Sequence, residues 1–303
     1  MIIRHDKGYL DLDKKTLVMG ILNVTPDSFY DGGKYYDIDD ALNRARKMID
    51  DGADIIDVGG ESTRPNSSCI SADEETRRIV PLIKELSKET QIPISIDTYK
   101  AEVADKAIKA GAQIINDISG LQADKEMVRV AAANNTPIII MHIKGRPHDF
   151  PKDPVYVELI PEIISFLEKR IEYSVKSGIA DDKIIIDPGI GFGKGAKHNI
   201  EILRQLNKFK CLNLPIMIGT SRKSFINKVL ELPGDNSIDE NDSRLIGTLV
   251  TLVIALSNGA NIVRVHDVKE AVQVIKMYRS INISNHEEGF SSKELSKNNF
   301  HKY

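Results

Sequence analysis

Polar or charged residues end nearly every apolar run of this chain. In order they are Asn23, Asp57, Asp97, Asn116-Asp117, Met141-His142, Asp187, Ser221-Arg222-Lys223, and Arg264 with His266. Any one of them alone reads as a helix cap, but a ring of them converging on one face is hard to explain by capping. Two chemistries emerge. Asp97, Asn116, Asp187 and Lys223 form a donor and acceptor set in an apolar setting. Carboxylates accept from ring N–H and amino groups, while Asn and Lys donate to a carbonyl or ring nitrogen, which suits a flat, nitrogen-rich heterocycle. A purely structural Asp–Lys ion pair is the alternative. The second set binds anions: Thr63-Arg64, Ser221-Arg222, and Arg264 with His266. Val265 separates the last two, so on an extended segment they project to one side, as a phosphate or diphosphate site requires. A surface arginine and a satisfied histidine would be the plainer account of either alone. Asn23, a neutral oxygen ligand, could help hold a Mg²⁺ that keeps waters and diphosphate oxygens around it.

Such a ring needs strands that all end on one side. Apolar runs predict strands near 17–22, 54–58, 92–97, 113–117, 137–142, 183–187, 214–218 and 260–264. Runs such as Ile138-Ile139-Ile140 and Ile184-Ile185-Ile186 suit a parallel sheet covered on both faces. Helical periodicity places helices near 39–51, 72–88, 100–110, 124–134, 155–177, 198–207, 222–230 with 242–258, and 268–279. Gly52-Ala53, Gly111-Ala112 and Gly259-Ala260 each close an amphipathic stretch, as a helix end needing positive φ would. Eight strand–helix units match an α/β fold, a (β/α)₈ TIM barrel in a single domain over residues 17–283. A doubly wound open sheet is the alternative, since closure is not visible in sequence. Residues 1–16 form an N-terminal extension, read as a hairpin across the barrel bottom. Residues 284–303 are a polar, flexible tail, and 231–241 an excursion within the seventh unit.

The stretch 17–33 pairs a buried strand with a long polar connection carrying Phe29 and Tyr30, which suggests a lid over a small-molecule site. The glycine-rich run from Asp187 to Lys194 is neither GxGxxG nor a P-loop. Its glycines instead suit a tight turn beside a ligand, with Phe192 offering a packing face. Seven histidines and two cysteines show no zinc-ligand spacing, and nothing near Cys69 argues for a nucleophile. A net charge of -3 gives no argument for nucleic acid as partner. No run is long enough to span a bilayer. Cys69 and Cys211 cannot make a disulfide framework, which favours a reducing, cytoplasmic compartment.

Taken in order, GILNVTPDSF from Gly20, GGESTRP from Gly59, SIDT from Ser95, IND from Ile115, MH at 141–142, DPG from Asp187, GTSRKS from Gly219 and RVHD from Arg264 resemble the bacterial dihydropteroate synthase family over roughly residues 17–279. The resemblance implies a transferase of folate biosynthesis. It joins 6-hydroxymethyl-7,8-dihydropterin diphosphate to p-aminobenzoate, releases pyrophosphate, uses Mg²⁺ and is the target of sulfonamides. It also implies a homodimer. On it, Asp97, Asn116, Ile118, Met141, Asp187, Phe192, Gly219 and Lys223 hold the pterin. Asn23, Thr63, Arg64, Arg264 and His266 serve the diphosphate, with Asn23 on the metal. Phe29, Thr63, Pro65, Phe192, Lys223 and Ser224 shape the p-aminobenzoate pocket. Asp97, Asp187, Lys223, Arg264 and His266 carry the catalysis. The sequence departs from the family where Asn66-Ser67-Ser68-Cys69 follows Pro65 in place of a common Gly, at Ile190, and at Ile143-Lys144. Two other readings are a pterin-dependent methyltransferase, which has no use for a diphosphate site, and a non-catalytic pterin-binding paralogue, which should have lost several of these residues.

Overall fold

Isoleucine-rich runs become strands buried on both faces. The computed structural model describes residues 1–24, 38–62, 69–149, 151, 154–233 and 238–282. A short antiparallel hairpin, β1 (Ile2–His5) and β2 (Gly8–Asp11), opens the chain. Eight parallel strands follow: β3 (Leu17–Asn23), β4 (Ile55–Gly59), β5 (Ile94–Asp97), β6 (Ile114–Asp117), β7 (Ile138–Met141), β8 (Ile184–Asp187), β9 (Met217–Ile218) and β10 (Ile262–Val265). They pair in the order β8-β7-β6-β5-β4-β3-β10-β9. A parallel bridge between Ile186 and Ile216 joins the two ends, supported by the Ile186 N–H donating to Pro215 O at 2.9 Å. The sheet therefore closes, and the open-sheet alternative falls.

Helices α1 (Ile38–Asp50), α2 (Ala72–Glu89), α3 (Ala101–Ala110), α4 (Met127–Ala133), α5 (Leu159–Lys176), α6 (Ala196–Arg204), α7 (Ser224–Leu230), α8 (Ile238–Ser257) and α9 (Val268–Asn282) surround it. Helix α1 buries Ala41, Leu42 and Ala45 on its predicted face. Ser71 caps α2 by accepting from the Glu74 N–H at 3.1 Å. Gly52, Gly111 and Gly259 all take positive φ at helix ends, as their spacing predicted. Several boundaries differ from the sequence reading, among them β9, which is only Met217–Ile218 where 214–218 was expected. Helix α4 begins after 124 because the Asp124 carboxylate is spent on the N–H groups of Ala101 and Glu126. Helix α5 begins after 155 because Glu162 reaches back to the N–H groups of Val157 and Glu158. Helix α8 starts at Ile238, so the end of the predicted 231–241 excursion is helical. No helix among the described residues is long and apolar enough to cross a membrane.

The strand beginnings and the hairpin share one core. Ile3, Leu10 and Leu12 pack with Leu17, Met19, Ile55, Ile114, Ile139, Ile185, Met217 and Ile262. Lys183 Nζ donates to Arg4 O at 2.6 Å and pins the hairpin there. The N-terminal end of the barrel is thereby plugged, leaving the C-terminal end for chemistry. Truncation of Ile3, which is 1% exposed, removes part of this plug. Ile3→Ala should lower the unfolding free energy by about 2–4 kcal/mol in urea titration, whereas Tyr9→Ala on the exposed side of the hairpin should leave it nearly unchanged.

Candidate active site

Strand register lines up the site. Asn23 pairs with Gly59, Gly59 with Asp97, and Asp97 with Asn116, so four strand ends share one level. Across β7 and β8, Met141 pairs with Asp187. Gly59 leaves a gap between its neighbours: a Cβ there would stand 3.6 Å from Asp97 Oδ2 and 3.7 Å from Asn23 Oδ1. Two oxygen donors thus flank one small space at the barrel mouth.

Arg264 crosses this level from β10. Its Nε donates to Asp57 Oδ2 and its terminal Nη2 to Asp97 Oδ2, both at 2.6 Å. Asp57 Oδ2 also accepts from Asn116 Nδ2 at 3.0 Å. Asp57 lies two residues before the end of β4, opposite Ser95, and the two-set reading left it out; its role as the hub appears only when β4, β6 and β10 come together. Asp57 Oδ1 and Asn116 Oδ1 are buried acceptors without a hydrogen-bond partner among the described residues. Burial, against the pull of Arg264 and with the push of Asp57, raises the Asp97 carboxyl to about 7. Burial opposes the Arg264 charge, but Asp57 and Asp97 outweigh it and hold its pKa above the ordinary value.

On the opposite wall, Asp187 Oδ1 accepts from the Gly189 N–H at 2.7 Å. Gly189 is at φ 74, and a Cβ there would lie 1.9 Å from His142 O, so only glycine fits this turn. Lys223 precedes α7, donates to Ile190 O and lies 4.4 Å from the Phe192 ring centroid. Burial lowers its pKa to about 8 against the attraction of Asp187. Burial also raises Asp187 above the usual carboxylate range, with Lys223 opposing. Ile118, Met141 and Ile143 form a small apolar cluster with Tyr99 and Phe192 against it, apart from the main core. Gly219 follows β9 and would place a Cβ 3.7 Å from Arg264 Cβ. Ser224 opens α7.

The structure therefore gathers Asn23, Asp97, Asn116, Ile118, Met141, Asp187, Phe192, Gly219, Lys223, Ser224 and Arg264 about the strand ends. His266 follows β10, with its Nδ1 2.9 Å from Ser221 Oγ, which also accepts the His266 backbone N–H. Phe29, Thr63, Arg64 and Pro65 lie outside the described residues. Both described arginines of the expected anion set are engaged with carboxylates, Arg264 with Asp57 and Asp97 at the barrel mouth and Arg222 with Asp267. Arg222 spends its guanidinium on both oxygens of Asp267, at 2.9 and 2.8 Å, and on Asn241 O. Asp117 is likewise structural: its carboxylate accepts from Ser119 and Leu121 N–H groups. Sequence spacing also hid a cluster that could hold a metal, Glu61, Cys69 and His148, whose ligand atoms lie within 4.8 Å of one another.

The family model for pterin binding enzymes matches residues 19–266. The dihydropteroate synthase of Bacillus subtilis strain 168 is 48% identical over 91% of this chain and 92% of its own length. The chain belongs to the pterin-binding enzyme family, with the dihydropteroate synthases. Two crystal structures of synthases in this family share its fold. That from Clostridium difficile, solved in the presence of pteroic acid, is 46% identical with a TM-score of 0.83, covering 91% of this chain and 100% of that one. That from Yersinia pestis, in a sulfonamide drug complex, is 40% identical with a TM-score of 0.84, covering 93% and 98%.

Behind the pterin-family pocket lies a buried pair. Lys194 Nζ is 2.8 Å from His142 Nδ1 and donates to the carbonyls of His142 and Phe192. Burial, then Lys194, hold His142 down to about 2. The folded protein keeps it neutral, while the unfolded chain takes up a proton below its ordinary 6.5. The stability this contributes is complete above that value and is lost as the pH falls through the interval below it. Between about pH 7.5 and about pH 5, the unfolding free energy should drop about 2 kcal/mol further in the unsubstituted protein than in His142→Asn. Urea titrations at both pH values would check it.

Proposed function

We propose that the barrel mouth runs the dihydropteroate synthase reaction with the following division of labour. Asp97, Asn116, Asp187 and Lys223 hold the pterin, and Ile118, Met141 and Phe192 give its ring a face. The observation that carries this reading is the pair of unmatched buried acceptors, Asp57 Oδ1 and Asn116 Oδ1, beside the Asp97 carboxylate. Buried acceptors without donors are costly, and the amino and ring N–H groups of a pterin supply donors. Asn23, Arg264 and His266, with Thr63 and Arg64, take the diphosphate. Phe29, Thr63, Pro65, Lys223 and Ser224 border the p-aminobenzoate.

An aryl amine is a weak nucleophile, so departure of the leaving group has to be assisted. The C–O bond of the pterinyl methylene breaks and its electron pair leaves with pyrophosphate. The amine nitrogen bonds to the methylene carbon and gives up one proton. Arg264 and His266 face charge developing on the leaving group, and carboxylates at Asp97 and Asp187 favour positive charge spreading into the ring. Asn23 Oδ1, at the end of β3, is a hard oxygen donor of the kind Mg²⁺ takes, and would help hold it with the diphosphate. Bound there, the ion supplies further neutralisation of the leaving group.

The test is direct: the purified protein with dihydropterin diphosphate, p-aminobenzoate and Mg²⁺ should yield dihydropteroate and pyrophosphate, and no product would overturn the assignment. Arg264→Lys keeps the charge but loses the two-carboxylate fork. It should cut kcat by roughly 100-fold or more and weaken pyrophosphate more than pterin binding. Equal loss of both ligands would make Arg264 a prop for Asp97 instead.

A homodimer is the assembly we favour. An apolar groove between α6, α7 and α8 includes Val229, Leu230, Ile246, Val250 and Ile254. Ile246 is 63% and Val250 58% exposed, a surface better covered by a second copy than left in water. Val250→Asp should convert the dimer to monomer in light scattering without changing the fold by circular dichroism. The free thiols Cys69 and Cys211 fit a reducing, cytoplasmic setting.

A further inference from the structure

Glu61, two residues beyond β4, is a junction at which three other side chains meet. Its Oε1 accepts from Tyr99 OH at 2.6 Å and lies 2.5 Å from His148 Nε2, and its Oε2 takes Lys100 Nζ. Lys100 is shared with Glu75 at 2.5 Å. His148 is delivered by a deliberate turn between β7 and α5. Arg146 and Asp149 exchange backbone hydrogen bonds at 3.2 and 3.0 Å, and His148 within that turn has φ 67. A left-handed histidine is an uncommon conformation, held here by the closed turn and by the edge of the Tyr99 ring, 6.3 Å away between centroids. The exposed thiol of Cys69 completes the group, with its ligand atom inside the same 4.8 Å.

We propose that Glu61, Cys69 and His148 are a binding site for a borderline-soft divalent cation of the Zn²⁺ class. Thiolate, imidazole and carboxylate are the ligands such ions take, at about 2.3, 2.0 and 2.1 Å, and a mixed S, N, O set excludes the hard Mg²⁺ of the diphosphate site. The site is three-coordinate from protein, so water fills a fourth position on the exposed side where Cys69 meets solvent. Charge closes as well. On binding, the Cys69 thiol releases its proton to solvent, and one thiolate and one carboxylate neutralise the ion. Lys100 keeps Glu75 as its counter-ion. The hydrogen bond between His148 and Glu61 gives way to the metal, while Tyr99 OH stays on the carboxylate as an orienting donor.

Position gives the site a consequence. Glu61 and Cys69 bracket the segment holding Thr63, Arg64 and Pro65, so an ion bound to both, and to His148, ties the two ends of that segment to the β7–α5 turn. On the functional reading above, that segment serves the diphosphate and p-aminobenzoate, so the ion would be held next to residues assigned to substrate. The ion-binding test itself is independent of that reading.

Co²⁺ added alone to the reduced protein is the probe, because a cobalt–thiolate bond gives a near-ultraviolet charge-transfer band. One equivalent should produce the band, Zn²⁺ should abolish it by competition, and excess Mg²⁺ should not. Cys69→Ser should remove the band, and Cys211→Ser should keep it. His148→Asn, a residue that tolerates the left-handed backbone, should weaken Co²⁺ by at least about tenfold. Absence of the band, its survival in Cys69→Ser, its loss in Cys211→Ser, or unchanged affinity in His148→Asn would each overturn the proposal.

Discussion

One guanidinium holds two carboxylates at the barrel mouth. Arg264 reaches from β10 to Asp57 on β4 and Asp97 on β5, and both contacts are 2.6 Å. Asp57 is fully buried, and a buried carboxylate left without a cation costs several kcal/mol. The fork therefore fixes where these strands sit relative to one another. A lysine ammonium would hold them from a single nitrogen and lacks the planar fork that sets their relative orientation. Asn116 hangs on the same Asp57 oxygen, so its amide orientation is inherited from the ion pair. Its carbonyl oxygen then faces away from that contact, unmatched, and the recognition surface follows from electrostatics that already serve the fold.

The other wall is built by different means. There the backbone does the positioning: Asp187 is fastened by the turn at Gly189, and Lys223 lies against the carbonyl of Ile190 and the face of Phe192. Cations on this side are weakened by burial, while Arg264 is strengthened by its partners. Arg264 therefore keeps its charge, whereas Asp97 beside it, raised to about 7, and Lys223 opposite, lowered to about 8, both have protonation close to the working range.

What the sequence made legible was local. Isoleucine runs announced every barrel strand, because a parallel strand buried on both faces has no polar alternation to blur it. Residues that end those runs, such as Asp97 and Asp187, were visible as chemistry for the same reason. Pairings across the barrel were not. Arg222 looked as free as Arg264 until Asp267 closed on it, and Asp57 looked like one more strand-end acid. Glu61, Cys69 and His148 come from three separate stretches and meet only through the β7–α5 turn. Closure between Ile186 and Ile216 had no signature in either segment.

The plug at the strand beginnings covers one end of a barrel whose interior is already packed with side chains. Ile3, Leu10 and Leu12 seal that end, so whatever binds must come and go at the other. The polar strand ends at Asn23, Asp97 and Asn116 therefore share a single face, and any two ligands that reach them at once have to divide that one face between them.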